Sequence, residues 1–189
     1  MTSSPLSADR SALVLADLLP GARVRDAILV GIYALAIVAS AQIAFPIPGS
    51  PVPVTGQTFV VLLGAATLGT TRAALGGSLF LGLGLAGVPW FAVTGGATVG
   101  YLVGFVAAAA IVGWCARQGW VATWRGAAAA MVLGNVAILA LGMVGLMLVL
   151  GMSLPAAFMA GVVPFVIGDA AKLAAATALL PVTQRLLER

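Results

Sequence analysis

The chain has 189 residues, 62% hydrophobic and only 7% charged, with a net charge of +4, whereas ordinary globular chains carry about 25% charged residues. A mean hydropathy of +1.16 leaves too little polar side chain to coat a surface in water, so the bilayer is the solvent this composition suits. The absence of histidine excludes a Ser-His-Asp triad, an H-E-x-x-H zinc site and a histidine proton relay.

The single cysteine, Cys115, allows neither an intrachain disulfide nor a cysteine-cluster metal site. It sits in an apolar helical run near a cytoplasmic end and reads as a lipid-facing thiol. The basic balance does not point to nucleic acid, because the nine cations are scattered along the chain rather than gathered on one face.

Residues 1–23 are the only polar stretch of any length. They lack the basic n-region and long apolar h-region of a signal peptide and read as a cytoplasmic tail, with 24–189 forming a single membrane domain. Six apolar runs follow, at 24–45, 57–68, 73–86, 98–116, 126–150 and 165–187. The first is closed by Pro46, Pro48, Pro51 and Pro53, the second by Gly69 to Arg72, and the third by Gly87 to Pro89. A short helical segment is expected at 153–163, ending at Pro164. Since about 20 helical residues cross the hydrocarbon core, runs one, four, five and six are long enough to span. Runs two and three are short or interrupted by glycine.

Charge supports six transmembrane helices in an all-α fold with both termini cytoplasmic. Arg10, Arg23 and Arg25 precede the first run, Arg72 lies between two and three, Arg117 and Arg125 lie between four and five, and Arg185 and Arg189 close the chain. The alternate loops, 46–56, 87–97 and 151–164, carry no charge, as the positive-inside rule requires of outer loops. Trp114, Trp120 and Trp124 fall at the cytoplasmic ends of runs four and five, where an aromatic belt belongs.

That leaves Lys172, the only lysine, and Asp169 three residues before it, read as the only acid in the membrane region. At i,i+3 they share a helix face and can meet. Burying them is costly unless they are paired or solvated. They form either an internal ion pair stapling the last helix or a polar ligand site beneath the outer face. Pro164 and Gly168 interrupt the run, so the last helix is expected to start at Gly168–Asp169, with both charges in its first turn.

The uncharged outer loops supply further candidates. The proline-rich segment 46–58 is stiff and extended and ends in Thr55-Gly-Gln57-Thr58. Trp90, Phe91 and Tyr101 bracket a flexible loop containing Val93, Thr94 and Thr98. Trp90 and Tyr101 read equally as interfacial anchors. Asn135, the sole asparagine, reads as a helix-to-helix hydrogen-bonding residue. Gly82-Leu-Gly84-Leu-Ala-Gly87 satisfies G-x-G-x-x-G, but no βαβ unit surrounds it. The only lysine is followed by leucine, so there is no P-loop and the chain is not its own ATPase.

In this order, these residues resemble the BioY family, the biotin-specific S-components of energy-coupling factor (ECF) transporters. Pro51-Val-Pro53-Val-Thr-Gly-Gln57-Thr58 resembles the family's V-P-[VI]-T-x-Q-T. Gly87-Val-Pro89-Trp-Phe91 and Gly100-Tyr101-Leu-Val-Gly104-Phe105 are similar to its G-[LIV]-P-x-F and G-Y-x-x-[GA]-F. Pro164-Phe165-Val-Ile-Gly168-Asp169-Ala-Ala-Lys172 resembles the segment opening its final helix, with Ile167 where proline is usual. In helix one, Ala27/Gly31 and Ala36/Ser40 replace the family's A-x-x-x-A.

The resemblance implies an S-component fold in a bacterial cytoplasmic membrane and no enzymatic activity. It implies a bound biotin, and a transmembrane T-component and ABC ATPases as partners. The substrate-binding residues it implies are Asp169, Lys172, Gln57, Tyr101, Trp90 and Thr55. Asp169 or Gln57 suits the ureido N–H donors, and Lys172 suits the carboxylate. A thiamine or riboflavin S-component and a non-transporting structural subunit stapled by Asp169–Lys172 are the alternatives.

Overall fold

The computed structural model describes residues 23–91 and 96–187, without the side chains of 181–187. The expected tail (through residue 22), Val93, Thr94, Arg189 and the side chain of Arg185 lie outside the described residues.

Seven α-helices are present among the described residues. α1 (Arg23–Ala41), α2 (Gln57–Leu68), α3 (Thr70–Leu85), α4 (Val99–Arg117) and α5 (Trp124–Leu150) match the first five apolar runs. α6 (Leu154–Gly161) is the short segment expected before Pro164, and α7 (Val166–Leu187) is the last run. Four stretches are long and apolar enough to cross a membrane: α1, Gly96–Arg117, α5 and Leu154–Leu180. The 12 residues of α2 and 16 of α3 rise about 18 and 24 Å, short of the roughly 30 Å hydrocarbon core.

Local chemistry sets the breaks. Gly69 has φ 76° and separates α2 from α3 in a single residue, a conformation that glycine takes without a Cβ penalty. Thr123 caps α5 by accepting from the Gly126 amide at 3.1 Å, and α5 ends at a left-handed Gly151. Pro164 lies in a 3-10 turn, Val163–Phe165, that leads directly into α7. The last helix therefore starts at Val166, two residues before the expected Gly168, because proline is well accommodated in the first turn of a helix. Asp169 remains in the first turn, while Lys172 falls in the second.

One element departs from an all-helical reading. The proline-rich segment folds back so that Ala44–Phe45 (β1) pairs antiparallel with Val54–Thr55 (β2), joining Ala44 to Thr55 and Phe45 to Val54. This small hairpin sits over the start of α2, where the Gly56 amide donates to the Ile43 carbonyl at 3.0 Å.

α4 and α5 share the most extensive helix–helix interface. A Cβ on Gly145 of α5 would lie 2.7 Å from the Gly100 Cα of α4, so the two backbones touch where neither residue has a side chain. Dispersion between close backbones is what associates helices in lipid.

Three further sequence expectations need correction. Cys115 is fully buried at 0% exposure rather than lipid-facing; a small apolar thiol is easily accommodated within a helical bundle. Asp169 is not the only acid in the helices, since Asp26 stands in the first turn of α1. It lies 3.0 Å from Arg72 Nε and 3.5 Å from Arg25. Asn135 is buried, but its Oδ1 has no hydrogen-bond partner among the described residues.

Candidate ligand-binding site

A cavity of about 260 Å³ lies at the end of the bundle where α2, α4 and α7 begin and α3 ends. Its exposed rim includes Ala44 of β1, Pro51 of the hairpin loop and Trp90 after α3. Its buried walls come from Gln57 and Thr58 of α2, Phe80 of α3, Tyr101, Leu102 and Phe105 of α4, Ile138 of α5, and Phe165 and Asp169 at the start of α7.

Five of the six expected binding residues line this cavity: Asp169, Gln57, Tyr101, Trp90 and Thr55. Lys172 does not. It stands beside the cavity, with its Nζ 3.1 Å from Asp169 Oδ1, and Asp169 itself is only 2% exposed. The carboxylate is thus the charged group at the cavity wall, and the ammonium is its counter-ion. A buried carboxylate without such a partner would be strongly destabilising.

Neighbouring contacts fix the other polar groups. The Thr55 hydroxyl donates to Gln57 Oε1 at 3.1 Å, and Thr55 Oγ1 accepts from the Gln57 amide at 3.3 Å. The first arrangement orients the Gln57 side chain; the second satisfies one of the amides left over at the start of α2. The Tyr101 hydroxyl donates to the Gly161 carbonyl at 2.7 Å, tying α4 to the end of α6. Its ring packs against Phe165 at 5.8 Å between centroids and against Gly142, where a Cβ would collide with the ring. Tyr101 is therefore an internal wall residue, not an interfacial anchor.

Trp90 is 79% exposed and is the one non-glycine residue with a positive φ, 75°, among those described. For a bulky residue this backbone costs on the order of 1–3 kcal/mol and is found where the surroundings enforce it, often at ligand sites. Phe91 follows it and meets Phe80 at 6.1 Å. The apolar walls Phe80, Leu102, Phe105, Phe165 and Ile138 were not expected as site residues. In a chain this apolar, nothing separates a cavity-lining phenylalanine from a core or lipid-facing one.

The opposite end of the bundle is basic. Arg23, Asp26, Arg72 and Arg117 line a groove between α1, α3 and the end of α4. Trp114 and Trp120 lie 6.3 Å apart nearby in sequence, and Arg125 stacks over Trp124 at 5.3 Å. The cavity end and the arginine end are thus separated by the length of the helices.

Residues 10–189 match the BioY family. The chain is 36% identical to a biotin transporter BioY of Thermotoga maritima, over 87% of this chain and 98% of that one. It is 30% identical to a biotin transporter BioY of Rhizobium etli, over 82% and 90%. Its fold is similar to the crystal structure of the S-component for biotin from an ECF-type ABC transporter, with a TM-score of 0.75 and 19% identity over 86% of this chain and 92% of that one. Together with the cavity and its buried acid, these matches identify the chain as a member of the BioY family.

Proposed function

We propose that the chain captures biotin at the outer face of a bacterial cytoplasmic membrane for uptake, as the substrate-binding subunit of an ECF-type transporter. The observation that carries this reading is the buried Asp169 carboxylate in the wall of an aromatic-lined cavity, in a chain whose relatives are biotin transporters. Ligand pockets of this kind join apolar walls to a few fixed polar groups. Biotin's bicycle and valeryl chain suit Phe80, Phe105, Phe165 and Trp90. Its ureido N–H groups suit the Asp169 carboxylate, with Gln57, Thr55 and Tyr101 completing the wall. Lys172 pairs with Asp169 at 3.1 Å and fixes its orientation.

The arginine end supports an orientation with the cavity outside and both termini in the cytoplasm. The six runs then cross as six spans, with α7 forming the last. The role is capture rather than catalysis. Uptake needs an energy source that the sequence lacks, so a transmembrane T-component and ABC ATPases are the partners this reading requires.

Equilibrium binding of biotin to the detergent-purified full-length chain tests the proposal, with thiamine and riboflavin as controls. Saturable one-site binding of biotin alone is expected. Saturable binding of either control, or none of biotin by a monodisperse sample, overturns it.

A further inference from the structure

We propose that this site leaves the ligand's carboxyl group unrecognised, so that biotin amidated or esterified at that carboxyl is also a ligand. The inference rests on the biotin reading above and concerns the far end of the same molecule.

Among the described residues, no lysine or arginine lines the cavity. The stretches 46–56, 87–97 and 151–164 contain no charged residue in the sequence. Among the described residues, the cation nearest in sequence to the cavity residue Asp169, Lys172, is held by it at 3.1 Å and does not reach the lining. Arg23, Arg72 and Arg117 gather in the groove at the other end of the bundle. Along α5, Arg125 is 13 residues from the cavity residue Ile138, about 20 Å at helical rise.

Depth then orients the ligand. Asp169 is at the buried wall, whereas Ala44, Pro51 and Trp90 form the exposed rim. An acceptor-only carboxylate binds the donor-bearing ureido end, so the valeryl chain runs outward and its carboxyl group reaches the rim. There it keeps its water, which is the favourable outcome for an anion without a counter-ion. A neutral amide at the same place loses no ion pair.

The test is calorimetric binding of biotin and its N-methyl amide to the full-length chain in nanodiscs. The diamine formed by removing the ureido carbonyl serves as the control for the deep end. The amide is expected to bind within tenfold of biotin, with the diamine more than a hundredfold weaker. Lys172→Met should reduce affinity for biotin and for the amide by the same factor. Tight biotin binding with an amide more than tenfold weaker overturns this inference while leaving the proposed function intact. So does a Lys172→Met variant that loses affinity for biotin alone. If biotin itself fails to bind, the proposed function falls, and this inference falls with it.

Discussion

Lys172 Nζ lies 3.1 Å from Asp169 Oδ1, and of these two residues only Asp169 lines the cavity. The pair therefore has two separable roles. The ammonium offsets the cost of burying the carboxylate, and on the proposed function the carboxylate presents its remaining acceptor capacity to biotin.

Asp169→Asn is expected to weaken biotin binding more than tenfold while the protein still purifies as a monodisperse species. It leaves the Lys172 ammonium without its counter-ion, and breaking a buried pair from one side costs about 3–5 kcal/mol. Thermal stability should therefore fall as well. Adding Lys172→Met to Asp169→Asn removes the orphaned charge. The double variant should recover most of the lost thermal midpoint but none of the binding. Recovery of both would make the pair a structural staple.

Tyr101→Phe removes the 2.7 Å bond to the Gly161 carbonyl but keeps the ring against Phe165. The carbonyl is then unpaired in a water-poor interior, at a cost of about 1–3 kcal/mol. A lower melting temperature with biotin affinity changed less than threefold is expected from thermal unfolding and titration. A large loss of affinity at unchanged stability would instead make the hydroxyl a ligand contact.

Much of this site was legible because it breaks the chain's own pattern. Asp169 and Lys172 stand out as charges in an apolar run, and the prolines before Thr55 and Gln57 mark an extended segment among helices. The i,i+3 spacing also identified a pair that meets, but could not say which partner faces inward. Phe80, Phe105 and Ile138 were not legible as site residues, since lipid and protein interior select the same apolar side chains. The pairing of Asp26 with Arg72 joins residues 46 apart, and that of Ala44 with Thr55 depends on how a proline-rich loop closes. Neither leaves a local signal. Cys115 failed as lipid-facing for the same reason as the phenylalanines: apolarity does not distinguish the two sides of a helix in a bilayer.

Gly145→Ala tests the contact between α4 and α5. The new Cβ would be 2.7 Å from the Gly100 Cα, a backbone atom that cannot swing aside. Overpacking of this kind costs about 1–3 kcal/mol, and separating α4 from α5 would move Tyr101 and Ile138 apart across the cavity. Lower thermal stability and weaker biotin binding are expected together. Gly31→Ala is the contrasting substitution, because nothing lies within 4 Å of its added Cβ. It should leave both measurements unchanged or raise stability by up to about 1 kcal/mol through helix propensity. Equal damage from both substitutions would mean that any side chain added to these helices is harmful, irrespective of the contact with Gly100.

Arg72→Gln addresses the opposite end of the bundle. Arg72 is buried and lies 3.0 Å from Asp26, whose side chain is 45% exposed, so losing that pair removes an interaction already weakened by solvent. Exposed pairs contribute about 0–1 kcal/mol, and a modest decrease in melting temperature is expected. Biotin affinity should stay within twofold of wild type, because Arg72 lines the arginine groove and not the cavity. The same variant assayed for uptake in whole cells separates capture from transport. Normal binding with reduced uptake would assign the groove to the steps after capture, and loss of binding would contradict the separation of the two ends on which the orientation rests.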